Sequence, residues 1–493
     1  MRPRAIFAVV AGTVLILALA AGLDALPKAR AALNPIQREN AKPGTTGWEI
    51  KVLSYHGEIQ GYASAAGVSA GHSISFSVST TAARFRADVY RMGWYDGDGA
   101  RLMTSVTHLR GHLRSRPKPD SHTGMIVCHW PVSFRLTVPA SWVSGVYMVK
   151  LTGSNTHQAY IPFVVTDPSS RSTYLFVHAV FTDEAYNTWG GKSLYADISY
   201  PTAAQQYAHR AVEVSFERPF VQNMGAGWFF SWEIHMVRWL EQRGYDVDYG
   251  TDLDVANRPA LLLRHRAVLV VGHDEYWTRG MRNAYDEAVA HGVGLGNFAA
   301  NSGFWQIRLE SLGRQADAAM VCYKTSRDPL SERHPKLTTT EFRSPPLNRP
   351  EQELTGAMYG AYEGAHGPSA WVVSRPKSWV FRGTHMRRGA KIPKVLGQEV
   401  DWVYHRYPRP HGVQILAHSP LLDSGNVSRV ANATVYRARS GAWVFDAGAI
   451  EWSWGLDDLR QSFWLYKAAP KHPNHDAEII TANVLAAFSR GRR

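Results

Sequence analysis

Residues 273–276 read His-Asp-Glu-Tyr, one glycine after the apolar run 268–271. An imidazole, two carboxylates and a phenol in so short a stretch can exchange protons, hold a cation or merely cap a helix. Alternate residues leaving a strand face the same side, so His273 and Glu275 are the pair placed to act together. Asp274 and Thr278 are placed to cap the next helix, and Tyr276 and Trp277 to pack. Two other polar-aromatic stretches accompany this one. "AVFTDEAYNTWGG" (179–191) holds Tyr186, and "AANSGFW" (299–305) holds Asn301.

Each stretch lies at the end of a run that reads as a strand: 172–180, 267–271, and a third strand with a turn at 294–305. Between them lie helical patterns at 228–243 and 279–293. Strand–helix–strand–helix–strand predicts a doubly wound, mostly parallel sheet of the Rossmann-like or glutamine-amidotransferase-like kind, with β-rich additions toward the C-terminus. In such a sheet ligands bind beyond the carboxyl ends of the strands, and all three stretches fall at that edge.

Ahead of this α/β domain (172–493), residues 47–168 show short alternating segments bounded by Gly, Pro, Ser and Asp. They read as an immunoglobulin-like β-sandwich, a structural or docking module. Residues 33–46 are a polar linker. Residues 1–32 carry two arginines, an apolar run from Ala5 to Leu23 and then small residues. That reads as an export signal, cleaved or retained as a membrane anchor, and an extracytoplasmic chain.

The formal net charge of +13 is scattered, and the basic patches lack interleaved aromatics, which argues against nucleic acid as partner. The two cysteines, Cys128 and Cys322, give no zinc motif and read as buried thiols. There is no Gly-x-Ser-x-Gly elbow, no His-Glu-x-x-His, no phosphate-binding loop and no dinucleotide fingerprint. The remaining candidates, Tyr186, His273, Glu275, Tyr276 and Asn301, are rich in oxygen. Carboxylate and phenolate donors suit a hard ion such as ferric iron better than zinc, although composition alone does not point to iron. Tyrosine has a pKa of about 10, so the metal must displace its proton.

These residues, with "YRMGWYDGDGAR" (90–101), "SFERPF", "VGHDEYWT", "NFAANSGFW", "MVCYKTSRDP" and "EWSWGLDD", resemble the N,N-dimethylformamidase beta (large) subunit-like family and its C-terminal domain. The resemblance implies a mononuclear iron site held by two tyrosines and a glutamate, with a histidine, an asparagine and a second glutamate nearby. It makes Tyr186 and Glu275 metal ligands, and His273 and Asn301 catalytic residues. The second tyrosine has no match by motif; Tyr195, Tyr200 and Tyr207 are all near. Glu399 and Glu451 compete for the second glutamate, with Glu399 carried forward as catalytic. The resemblance also implies a small-molecule amide substrate and, as in the amidase, a small subunit.

The expectation is therefore an exported metal-dependent hydrolase of amide C–N bonds, with Asn301 bonding the developing oxyanion. Two alternatives stand beside it. One is a non-catalytic cell-envelope protein that binds a glycan or wall polymer on a degenerate form of the fold. The other is a hydrolase of this fold without metal, using His273 and Glu275 as acid and base.

Overall fold

Residues 267–273 are buried along their whole length, as a strand covered on both faces must be. They form β3 (Ala267–His273) of a seven-stranded mixed sheet. Its strands, in chain order, are β1 (Tyr174–His178), β2 (Val247–Thr251), β3, β4 (Gly294–Ala300), β7 (Gln414–Leu422), β8 (Ser428–Arg437) and β9 (Trp443–Asp446). A separate pair is formed by β5 (Met358–Tyr362) and β6 (Glu399–Trp402). The spatial order of the large sheet is β2-β1-β3-β4-β9-β8-β7. Pairing is parallel from β2 through β9 and antiparallel from β9 to β7. The computed structural model describes residues 32–313, 315–363, 367–459 and 469–490. The expected export signal or anchor lies on residues 1–32, almost wholly outside them. Among the described residues no helix is long and apolar enough to cross a membrane.

Register lines up the carboxyl ends of the parallel strands. His178 pairs with Thr251, and His273 with Ala300. At the end of β3, Gly272 has a φ of +73°, and a Cβ there would lie 2.6 Å from Cβ of Trp232. Only glycine fits both the left-handed backbone and that close approach.

Three helices flank this edge: α1 (Val180–Tyr186), α2 (Glu233–Gln242) and α3 (Arg279–Ala290). Thr278 caps α3 by accepting from Met281 N–H. Asp274, expected as a second cap, does not cap: Thr278 holds that place, and the Asp274 side chain is wholly buried. Helix α2 is shorter than the pattern predicts. Trp228 N–H is taken by Asp183 Oδ1 at 3.0 Å, which holds the chain before Glu233 in turns.

Toward the N-terminus, two antiparallel-rich sheets of five and three strands enclose an apolar core that includes Phe76, Val89, Val149 and Phe163. Their strands run from Ile59–Ala63 to Gln158–Thr166. A second core is shared with the mixed sheet, where Tyr90, Met148 and Tyr160 join Phe176, Phe230 and Trp239. Residues 35–493 accordingly form one compact unit. Arg91, from the "YRMGW" motif, reaches Glu241 of α2 with Nη2···Oε1 2.8 Å and Nη1···Oε2 3.0 Å, both side chains fully buried. Tyr249 O–H and Asn40 Nδ2 also donate to Glu241. Cys128 and Cys322 are buried free thiols.

Candidate functional site

Three strand ends and one cross-strand deliver the side chains. Tyr186 is the last residue of α1, which leaves β1. The chain then doubles back, with Leu194 N–H on Ala185 O at 3.0 Å, and brings Tyr195 alongside. The two phenol rings stack with centroids 4.3 Å apart. His273 closes β3, and Glu275 follows with its N–H on Thr182 Oγ1 at 2.9 Å and its C=O on Trp305 N–H at 3.0 Å. Asn301 leaves β4 beside them, and β6 supplies Glu399.

These side chains gather around one carboxylate. Tyr186 O–H donates to Glu275 Oε2 at 2.9 Å, and Tyr195 O–H donates to Glu275 Oε1. His273 Nε2 lies 3.5 Å from Glu275 Oε2 and 2.9 Å from Glu399 Oε2. Asn301 Nδ2 donates to the same Glu399 oxygen at 2.6 Å. Because a carboxylate accepts only, the Asn301 amide must turn its nitrogen to Glu399, which leaves Oδ1 buried and without a partner. One Asn301 N–H is thus spent on Glu399, where the sequence reading aimed the amide at an oxyanion.

The electrostatics separate the two glutamates. Burial raises Glu275, and Glu399 adds to the rise, while Lys324 and His273 oppose it. Burial also disfavours charge on Glu399, but His273 and the Asn301 amide outweigh it and hold its pKa below the usual value. His273 is shifted upward: burial alone would lower it, and the neighbouring Glu399 wins. Burial, then the Glu275 charge, pushes Tyr186 and Tyr195 well above the ordinary phenol value. These shifts favour neutral phenols on Glu275 and, between His273 and Glu399, the charged imidazolium–carboxylate form.

Of the three tyrosines left open, the structure brings in Tyr195 alone. Tyr200 stacks on His209 with centroids 4.0 Å apart, and Tyr207 lies under Arg210 at 4.1 Å. Of the two glutamates, Glu399 meets His273. Glu451 is buried, and burial, then the charges of Glu363 and Glu399, raise its pKa. Lys324 is a site residue the sequence reading did not single out. Its Nζ sits 3.2 Å from the Tyr195 ring centroid and donates to Tyr276 O–H at 2.5 Å. Tyr276, placed by the sequence to pack, is thus also the acceptor for this lysine. The "YKTS" run offered a polar break after a strand, but nothing in it pointed to Glu275.

Among the described residues no group of three histidine, cysteine, aspartate or glutamate side chains is arranged to hold a metal. The donor set here is of another kind. Tyr186, Tyr195 and Glu275 place phenol and carboxylate oxygens within hydrogen-bond reach of one another, and such an all-oxygen set fits a hard trivalent or divalent ion.

The profile of the family described as "N,N-dimethylformamidase beta subunit-like, C-terminal" matches residues 86–468. The N,N-dimethylformamidase beta subunit of Alcaligenes sp. is 28% identical over 218 residues, covering 37% of this chain and 28% of that protein. Its counterpart from Paracoccus aminophilus is 27% identical over 214 residues, covering 36% and 28%. The alignments thus span little more than a quarter of the length of these relatives. Among solved structures, a cycloisomaltooligosaccharide glucanotransferase of Paenibacillus sp., complexed with cycloisomaltoheptaose, covers 53% of this chain and 33% of its own at 11% identity. Its TM-score of 0.15 is too low to inform the fold.

Proposed function

The chain belongs to the N,N-dimethylformamidase beta subunit-like family, and from that premise we propose that it is a metal-dependent hydrolase of amide C–N bonds. One observation carries the reading: Tyr186 and Tyr195 converge on the two oxygens of the buried Glu275, with His273, Glu399 and Asn301 beside it. Tyr186, Tyr195 and Glu275 would hold ferric iron, which when bound supplies a Lewis acid for the amide carbonyl and acidifies water. Glu399, kept ionised by His273 and Asn301, takes a proton from the attacking water. His273, kept protonated by Glu399, gives a proton to the nitrogen as the C–N bond breaks. Asn301 holds Glu399 in place through Nδ2 and retains a second N–H for the substrate oxygen.

The same reading treats residues 47–168 as an immunoglobulin-like docking sandwich, residues 172–493 as a Rossmann-like catalytic domain, and residues 1–32 as an export signal or anchor that places the protein outside the cytoplasm. It also takes a partner subunit to complete the enzyme, since the curated relatives are named beta subunits.

A second reading draws on Lys324. With its ammonium facing Glu275, and His273 facing Glu399, the two carboxylates are balanced by two cations without any metal. Hydrolysis would then rest on His273 and the carboxylates alone. Metal analysis of the full chain purified without chelator separates the two, together with formamide turnover before and after chelation. The metal reading expects about one iron per chain, and loss of both iron and turnover in Glu275→Ala. Iron content unchanged by that substitution would refute the ligand assignment.

A further inference from the structure

Strand β6 touches Asn301 twice. Residues 399 and 401 alternate along the strand and so share a face. Glu399 takes the side-chain N–H of Asn301 at 2.6 Å, and Asp401 Oδ1 takes its backbone N–H at 2.8 Å. Asn301 and Asp401 are each only 2% exposed. The backbone at Asn301 is left-handed, with a φ of 56°. Asparagine tolerates that region better than most residues but is not held there by its own preference.

Asp401 is itself fixed. Its N–H donates to Gly448 O at 3.2 Å, and it pairs with Tyr359 across the β5–β6 ladder. The residue after Asn301 is tied from a different strand: Ser302 Oγ donates to Asn297 Oδ1 at 2.8 Å, and Asn297 Nδ2 donates to Asp446 Oδ1 at 3.0 Å. The turn that carries Asn301 is thus anchored at one residue directly to β6 and at the next to Asn297 of β4, which is itself bonded to β9.

We propose that Asp401 is a positioning residue: its carboxylate holds Asn301 N–H so that the left-handed turn aims the amide at Glu399. The inference is about the Asp401–Asn301 contact; only its kinetic arm rests on the hydrolase reading. It explains why "GQEVDW" carries two acidic residues at alternate positions, one for the side chain of Asn301 and one for its backbone.

The test uses the full chain with Asp401→Ala and Asp401→Asn, the second keeping an acceptor oxygen. Crystal structures report the Asn301 backbone and its distance to Glu399; formamide kinetics report kcat and KM. In Asp401→Ala, Asn301 is expected to leave the left-handed region and lose Glu399. Its kcat falls about tenfold or more with KM within about twofold, as loss of one buried hydrogen bond to a carboxyl oxygen predicts. Asp401→Asn recovers both the geometry and the rate. A folded Asp401→Ala that keeps the Asn301–Glu399 contact overturns the proposal, as does an Asp401→Asn no better than Asp401→Ala. If Asp401→Ala does not fold, Asp401→Ser, whose hydroxyl is too short to span the gap, takes its place with the same two outcomes. If the wild-type chain does not turn over formamide, formamide is not a substrate of this chain alone, and the crystallographic comparison still decides the role of Asp401.

Discussion

Tyr195→Phe removes one hydroxyl and leaves the rest of its environment in place. The ring keeps its stack on Tyr186 at 4.3 Å and its place beneath the Lys324 ammonium at 3.2 Å. What is lost is the hydrogen bond to Glu275 Oε1. The metal must displace that phenol proton in any case, so the cost to cation binding is the lost phenolate donor. Removing a partner that only orients a ligand weakens metal affinity about 10- to 100-fold, and losing the ligand itself should cost at least as much. The assay is a titration of metal-free protein with ferric iron against a competing chelator, followed by the visible absorption that a phenolate–iron contact produces. Tyr195→Phe is expected to weaken binding by at least that factor and to reduce the absorption; Tyr186→Phe should do the same. Tyr200→Phe and Tyr207→Phe should leave both unchanged, because those rings engage His209 and Arg210 instead. Wild-type affinity in Tyr195→Phe, or a loss in Tyr200→Phe, would refute the claim that the Tyr186–Tyr195–Glu275 oxygens are the ligand set.

Other outcomes follow from the same geometry. Glu241→Leu strands the fully buried Arg91 guanidinium and should cost about 3–5 kcal/mol in denaturant unfolding, whereas Arg91→Leu combined with Glu241→Leu should recover much of it; equal damage in the single and double variants would show that the charge pair is not what matters. His178 is held protonated to about pH 9: burial alone would lower its pKa, but Glu233 at 2.6 Å outweighs that. Its folded pKa is raised, so its contribution is complete below the unfolded value of about 6.5 and is lost as pH rises through about 9. The stability gap between wild type and His178→Gln should therefore narrow between pH 6.5 and 9.5, and a gap that widens would contradict the assignment. Gly272→Ala meets both a φ of +73° and Trp232, and should lower stability by roughly 1–3 kcal/mol and disturb His273 next to it; an unchanged melting temperature would show that the strand end relaxes freely.

The sequence alone determined where the chemistry-bearing residues sit along the chain. The fully apolar run 267–271 could only be an interior strand, and polar residues immediately beyond it had to emerge at the sheet edge. Period-two alternation made His273 and Glu275 partners, and the shared register of β3 and β4 puts Asn301 beside them. Tertiary structure decided what no local pattern encodes. The return turn after α1 sets Tyr195 on Glu275, because there the chain folds back on Ala185. Strand β6, about a hundred residues beyond Asn301, brings Glu399 against His273 and Asn301 and adds Asp401. Lys324 reaches Tyr195 and Tyr276 from beyond a separate strand, Gln315–Val321. Local spacing fixes which residues share a face of one element. Which faces meet is set by packing between elements far apart in sequence, and the Asp274 side chain, turned into the interior rather than toward the cap its position predicts, shows that packing overriding a local preference.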